Sequence, residues 1–134
     1  MRLELTGKTQ LAIRAINVLS TQPAGQVMRG EDLADVLDTT KNYLPQVLSP
    51  LIREEWVTST AGPAGGYQLA ADNSKVTLLQ VIEAVEGPAE DGTCVLKGTP
   101  CPDRGPCALH DPWTRARDAL LNELAGTSVA EVHQ

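Results

Sequence analysis

Apolar residues recur at helical spacing near the start of the chain. Leu11, Ala12, Ala15, Ile16 and Leu19 predict a first helix over about residues 7–20. A second, about two turns long, fits Glu31 to Leu37, with Leu33, Val36 and Leu37 facing inward and Glu31 and Asp32 at its positive end. Leu44, Val47, Leu48, Leu51 and Ile52 repeat at intervals of three and four, which predicts a third helix N-capped by Thr40. Pro45 and Pro50 fall inside that stripe, so the helix is expected to be kinked or held by tertiary packing.

The pattern then changes. Trp56, Val57 and residues 58–60 predict a strand, residues 61–66 a glycine- and proline-rich turn, and Tyr67 to Leu69 the returning strand. Thr77 and Gln80 have capping-box spacing ahead of Leu78, Leu79, Ile82 and Val85, and Gly87 ends that fourth helix. Asp111 as N-cap and Pro112 at the first helical position open a long final helix striped by Trp113, Ala116, Leu120, Leu121 and Leu124. Nothing local remains to cover this stripe, so it predicts pairing with the same helix of a second copy. Ser128 and Glu131 fit one further capped turn.

Three short helices followed by a glycine-tipped hairpin describe a mainly α (α+β) fold, a winged helix-turn-helix with a two-stranded wing. The expected division is a DNA-binding domain over residues 1–72, then a cysteine-rich loop and dimerisation helices over residues 73–134. With 134 residues, 42% of them hydrophobic and no Phe, the core is expected to be aliphatic. Polar residues inside the first amphipathic segment argue against a signal peptide or membrane span, and a cytoplasmic location is expected.

The chemistry is concentrated between the fourth and final helices. Cys94, Cys101 and Cys107 are all the cysteines of the chain, and His110 follows three residues after the last. An odd number of thiols in one Pro/Gly loop points to ligation or redox chemistry rather than a disulfide framework. Three thiolates and one imidazole suit iron-sulfur or zinc. Lys97 and Arg104 are placed to offset the negative charge of such a centre. There is no Cys-x-x-Cys pair, glycine-rich phosphate loop or acid-base pair, which argues against an enzyme.

The net charge of −6 opposes duplex DNA binding, because phosphate contacts usually supply most of the affinity. The acidity is uneven, however. Residues 1–70 carry six Lys/Arg against seven Asp/Glu, and residues 71–134 carry five against ten. Thr39, Thr40, Lys41, Asn42, Tyr43 and Gln46 lie where a helix-turn-helix presents its contacts, with Gln46 suited to adenine and Thr40, Lys41 and Tyr43 to phosphates.

The order of these parts resembles the winged-helix iron-sulfur regulators of the IscR, NsrR and RirA type over nearly the whole chain. The matching stretches are Met1-Arg2-Leu3, Leu11-Ala12-Ile13-Arg14-Ala15, Tyr43-Leu44 with Val47-Leu48, Gly62-Pro63 with Gly65-Gly66-Tyr67, and residues 81–87 before the cysteines. The resemblance implies a homodimeric transcription factor that reads a palindromic operator and holds an iron-sulfur cluster through Cys94, Cys101 and Cys107. The cluster state would report nitric oxide, redox poise or iron supply.

Cys107 to His110 is the Cys-to-His spacing of IscR-like members, where histidine completes a [2Fe-2S] centre. In NsrR-like members an aspartate of the first helix completes a [4Fe-4S] centre, and Gln10 stands at that position here. His110 therefore favours [2Fe-2S] over [4Fe-4S]. Relatives carry an arginine at the wing tip where this chain has Thr60-Ala61-Gly62, so the wing, including Gly65, is expected to contribute backbone contacts only. A zinc-stabilised module and a cluster-free regulator that uses its thiols directly remain alternatives.

Overall fold

The computed structural model describes residues 2–89, 93–96, 98–100 and 107–132. Helix α1 spans Gly7–Ser20, and the Thr6 side chain caps it by accepting the Thr9 N–H. The face it buries is Ala12, Ile13, Ala15, Ile16 and Leu19. Leu11, expected inward, is only half-buried, and Ile13 takes its place in the core. Helix α2 spans Gly30–Val36, with Leu33 and Ala34 buried. Val36 is 52% exposed, contrary to the inward position expected of it. Seven residues give one narrow buried face, and Leu33 and Leu37 already occupy it.

Helix α3 spans Leu44–Arg53 and begins later than its sequence suggests. Thr40 does cap, but it caps the single turn over residues 41–43, through its side chain to the Tyr43 N–H at 3.1 Å. Pro45 consequently falls at the second helical position, where its missing N–H costs nothing. Pro50 is interior and buried, a penalty of about 3 kcal/mol. Leu44, Val47, Leu48 and Leu51 are each no more than 1% exposed, and full burial contributes about 1.5–3 kcal/mol per side chain, so packing outweighs the proline. Leu48→Ala should lower unfolding free energy by about 2–5 kcal/mol, read from the urea midpoint.

Strands β1 (Val57–Thr60) and β2 (Gly66–Leu69) pair antiparallel, Val57 opposite Leu69 and Thr60 opposite Gly66. Met28 adds a third, single-residue pairing with Tyr67 through reciprocal 2.8 Å bonds, which fixes the wing against the start of α2. A Cβ at Gly65 would strike the Thr60 carbonyl, and one at Gly66 the Met28 carbonyl, so both glycines permit close backbone approach.

Helix α4 spans Leu78–Glu86, with the Thr77/Gln80 capping box formed in both directions and Gly87 at its end. Val81, not Leu79 or Ile82, is its fully buried residue. Two bonds grip its last turn. Thr9 of α1 donates to Glu86, and Arg53 of α3 donates to the Ala84 carbonyl at 2.9 Å.

Helix α5 spans His110–Ala125, two residues longer at its start than predicted, and the His110 N–H bonds the Cys107 carbonyl just ahead of it. Leu109, not Asp111, is the N-cap, and Pro112 is the third helical residue, still within the turn that needs no partner for its nitrogen. None of its residues is buried, and Trp113 and Leu120 are 39% and 48% exposed. The chain then returns through a capped 3-10 turn, Val129–Glu131, to the first helix, where Asn17 donates to the Val129 and Val132 carbonyls. Val76, Val81 and Val129 thereby join the core built by α1, α2 and α3. No described helix is long and apolar enough to cross a membrane.

Candidate functional site

Cys94 sits in a tight loop held by the Cys94 N–H to the Thr99 carbonyl at 2.7 Å and the Gly98 N–H to the Cys94 carbonyl at 2.8 Å. Gly98 adopts φ +68°, a left-handed conformation suited to glycine. Cys94 is buried and Cys107, just ahead of α5, is half-buried. Their sulfurs lie 3.8 Å apart. His110, Trp113, Thr114 and Arg117 recur on one face of α5 and, with Cys94, Cys107, Thr93 and Val95, line a small pocket of about 20 Å³. Of the predicted ligands, the structure brings Cys94, Cys107 and His110 to this pocket. Cys101 lies outside the described residues, as do Lys97 and Arg104.

The donor set can be tested against the group it is expected to hold. Two thiolates on one tetrahedral centre with metal-sulfur bonds of about 2.3 Å stand about 3.8 Å apart, the separation seen here. The Cys94 and Cys107 sulfurs would therefore fit two corners of a tetrahedral centre at the separation they already have. Among the described residues no three His, Cys, Asp or Glu side chains close on one metal position, and Cys101 lies outside those residues. Arg117 was not anticipated from sequence. It stands seven residues after His110, two helical turns along the same face, and brings a positive charge to a pocket of thiols.

The predicted duplex-facing residues surround the start of α3. Thr40, Lys41, Asn42 and Gln46 are exposed, whereas Thr39 and Tyr43 are half-buried. Tyr43 packs against the core, which limits what it can offer to a phosphate. Two grooves flank the exposed face. One, about 390 Å³, lies between the wing and α2 and is lined by Arg29, Glu31, Lys41, Tyr67, Gly65, Gly66 and residues 59–63. The other, about 430 Å³, is lined by Lys8, Pro45, Gln46, Ser49, Pro50 and Arg53.

Gln46 lines the second groove with Lys8 and Arg53, and Lys41 lines the first with Arg29 and Glu31. Ser49 and Arg53 follow Gln46 at helical spacing, a signal present in the sequence; Lys8 and Arg29 join only through the fold. Glu31 bonds Lys41 at 2.8 Å and lies 3.8 Å from Arg29. The Lys41 hydrogen bond, then the charges of Lys41 and Arg29, hold its carboxyl below the usual carboxylate range.

Solved structures with this fold include the oxidized form of CymR from Staphylococcus aureus, at TM-score 0.75, 21% identity and 98% and 99% coverage of the two chains. An IscR structure from T. potens superposes at TM-score 0.69, with 18% identity and 98% and 93% coverage. In sequence, the HTH-type transcriptional regulator IscR of Escherichia coli is 30% identical over 131 residues, 97% of this chain and 80% of that protein. A model of the Rrf2 family, described as an iron-dependent transcriptional regulator, matches residues 5–134. With a winged helix-turn-helix and a family match spanning nearly its whole length, this chain belongs to the Rrf2 family of DNA-binding transcriptional regulators.

Proposed function

We propose that the protein is a homodimeric regulator whose operator affinity is set by an iron-sulfur cluster held by Cys94, Cys101, Cys107 and His110. The observation that carries this is the 3.8 Å separation of the Cys94 and Cys107 sulfurs, with His110 on the same pocket. A histidine among the donors favours [2Fe-2S]. Such a cluster, when bound, supplies a centre that responds to redox poise, nitric oxide or iron supply.

The chain's own residues carry the consequence. Cys94 and Cys107 bring the loop after α4 against the residues just ahead of α5, and the last turn of α4 is bonded to α1 and α3 through Thr9 and Arg53. A change at the thiols therefore acts on an arm joined to the recognition helix. Gln46 reads a base edge in the major groove, while Lys8, Arg29, Lys41 and Arg53 contact phosphates on either side. Thr39, Thr40, Asn42, Tyr43 and Gly65 complete the duplex-facing surface. A dimer presenting two such faces reads a palindrome, and a small tilt of the arm alters half-site spacing and hence affinity.

Protein purified without oxygen should absorb between about 320 and 460 nm and carry about two irons per chain, or about four for the larger cluster. A colourless protein containing zinc would indicate a structural site instead. One other reading rests on the same sulfur pair. Thiols at 3.8 Å need to approach by only about 2 Å to bond, so a cluster-free dithiol switch fits the geometry. Its mark is DNA binding that is indifferent to iron and responsive to peroxide.

A further inference from the structure

Three charges on the wing side of the recognition face form a closed set. Glu31, in the first turn of α2, accepts a bond from Lys41 Nζ at 2.8 Å and lies 3.8 Å from the Arg29 guanidinium. Lys41 belongs to the turn that leads into α3, and Arg29 precedes α2, so two separate segments converge on one carboxylate. All three side chains are more than half exposed, at 68%, 63% and 54% for Lys41, Arg29 and Glu31. They line the groove of about 390 Å³ beneath the wing.

A carboxylate and a phosphate offer ammonium and guanidinium groups the same kind of partner, anionic oxygens that accept charge-assisted hydrogen bonds. We propose that Glu31 is a built-in phosphate mimic, which occupies Lys41 and Arg29 in the free protein and is displaced by a backbone phosphate when a duplex enters the groove. The inference rests on the duplex-facing role assigned above to Lys41 and Arg29. Glu31 is an exposed carboxylate and hence ionised at neutral pH, and Lys41 and Arg29 hold its carboxyl further below the ordinary range.

Displacement is feasible because exposed ion pairs are weak, so a duplex phosphate competes successfully. It also leaves a signature. When Lys41 exchanges one anion for another, the released Glu31 gathers a cation from solution, and the exchange offsets about one of the counterions that DNA gives up. Binding to any duplex is thereby reduced regardless of sequence, and base reading by Gln46 gains relative weight.

The test measures binding of a short fluorescent duplex of arbitrary sequence to the full chain across a salt series. Thermal melting of each variant reports that it is folded. Glu31→Gln, which keeps shape and removes charge, should bind about three- to tenfold tighter near 0.1 M salt, with a slope of log affinity against log salt steeper by about one. In a background carrying Arg29→Gln and Lys41→Gln, the added Glu31→Gln change should have no effect.

Unchanged or weaker binding by the single variant overturns the proposal. So does an equal gain in the background lacking both cations, since that would be simple repulsion of DNA. If Arg29→Gln with Lys41→Gln binds duplex as tightly as the wild type, the duplex-facing role of this groove falls together with the mimic. If those cations matter and Glu31→Gln does not tighten binding, the mimic alone is wrong.

Discussion

Cys107→Ser should reduce bound iron from about two or four per chain to near zero and abolish the visible absorption. Serine preserves the size of the side chain but offers a hydroxyl that is not ionised near neutrality, in place of a thiol whose thiolate is the ligand. The sulfur of Cys107 stands 3.8 Å from that of Cys94, so its loss removes half of the donor pair already assembled. Cys107 is half-buried at the entrance to α5 and absent from the main core, so the variant should melt close to the apo wild type. That comparison separates loss of ligand from loss of fold, which a change at the more deeply buried Cys94 would not do cleanly.

His110→Ala discriminates further. It leaves every thiol in place, so if His110 completes the centre, the absorption bands should shift and iron should be held less firmly. Full retention of iron with an unchanged spectrum would remove His110 from the ligand set. Retention of iron by Cys107→Ser would sink the site altogether. Cluster control of DNA binding fails separately if a Cys101→Ala dimer binds its operator as the wild type does under every redox condition.

The extent to which such sites are legible in the chain follows the range of the interactions that build them. Thr77 and Gln80 act on backbone groups three residues apart, and the capping box reads directly from their spacing. The wing was equally local, and its register follows from the short turn between Thr60 and Gly66. Where tertiary contacts choose, periodicity was less informative. The apolar positions of α4 allow several faces, and its packing on α1 and α3 selected Val81 over Leu79 and Ile82. The start of α5 lies two residues ahead of Pro112, and the His110 N–H bonds the Cys107 carbonyl just ahead of it.

The candidate sites divide along the same line. The thiol site was visible because its residues fall within seventeen consecutive positions, 94–110. Arg117 was recoverable from helical spacing alone. The groove that gathers Arg29, Lys41 and Glu31 with the wing draws on four separate segments, and no local pattern announces it. Met28 pairing with Tyr67 supplies the contact that sets the wing beside these charges, and a one-residue bridge leaves no periodic trace in a sequence.

Leu120→Glu should convert the protein from dimer to monomer at micromolar concentration and lower operator affinity by about a hundredfold, the usual scale of gain from linking two half-site contacts. Helix α5 has sixteen residues, a length marginal for an isolated helix in water, and none of its side chains is buried within the chain. Leu120 is 48% exposed midway along it, with Leu121 and Leu124 half-buried nearby. Such a stripe is stabilised when a second copy covers it, and twofold symmetry places each substitution in the interface twice. Two carboxylates held close in an apolar seam repel each other and lose hydration, a combined cost of several kcal/mol.

Because Leu120 lies outside the core of α1, α2 and α3, the variant monomer should keep its helical circular dichroism. Its melting temperature should fall only by the part that dimerisation contributes, which appears as a loss of concentration dependence. Sedimentation then decides. A variant that sediments as a dimer and binds a palindromic duplex as the wild type does would show that α5 is not the dimer seam. A folded monomer that still contacts single half-sites weakly would tie operator recognition to the pairing of two wings and two recognition helices by this helix.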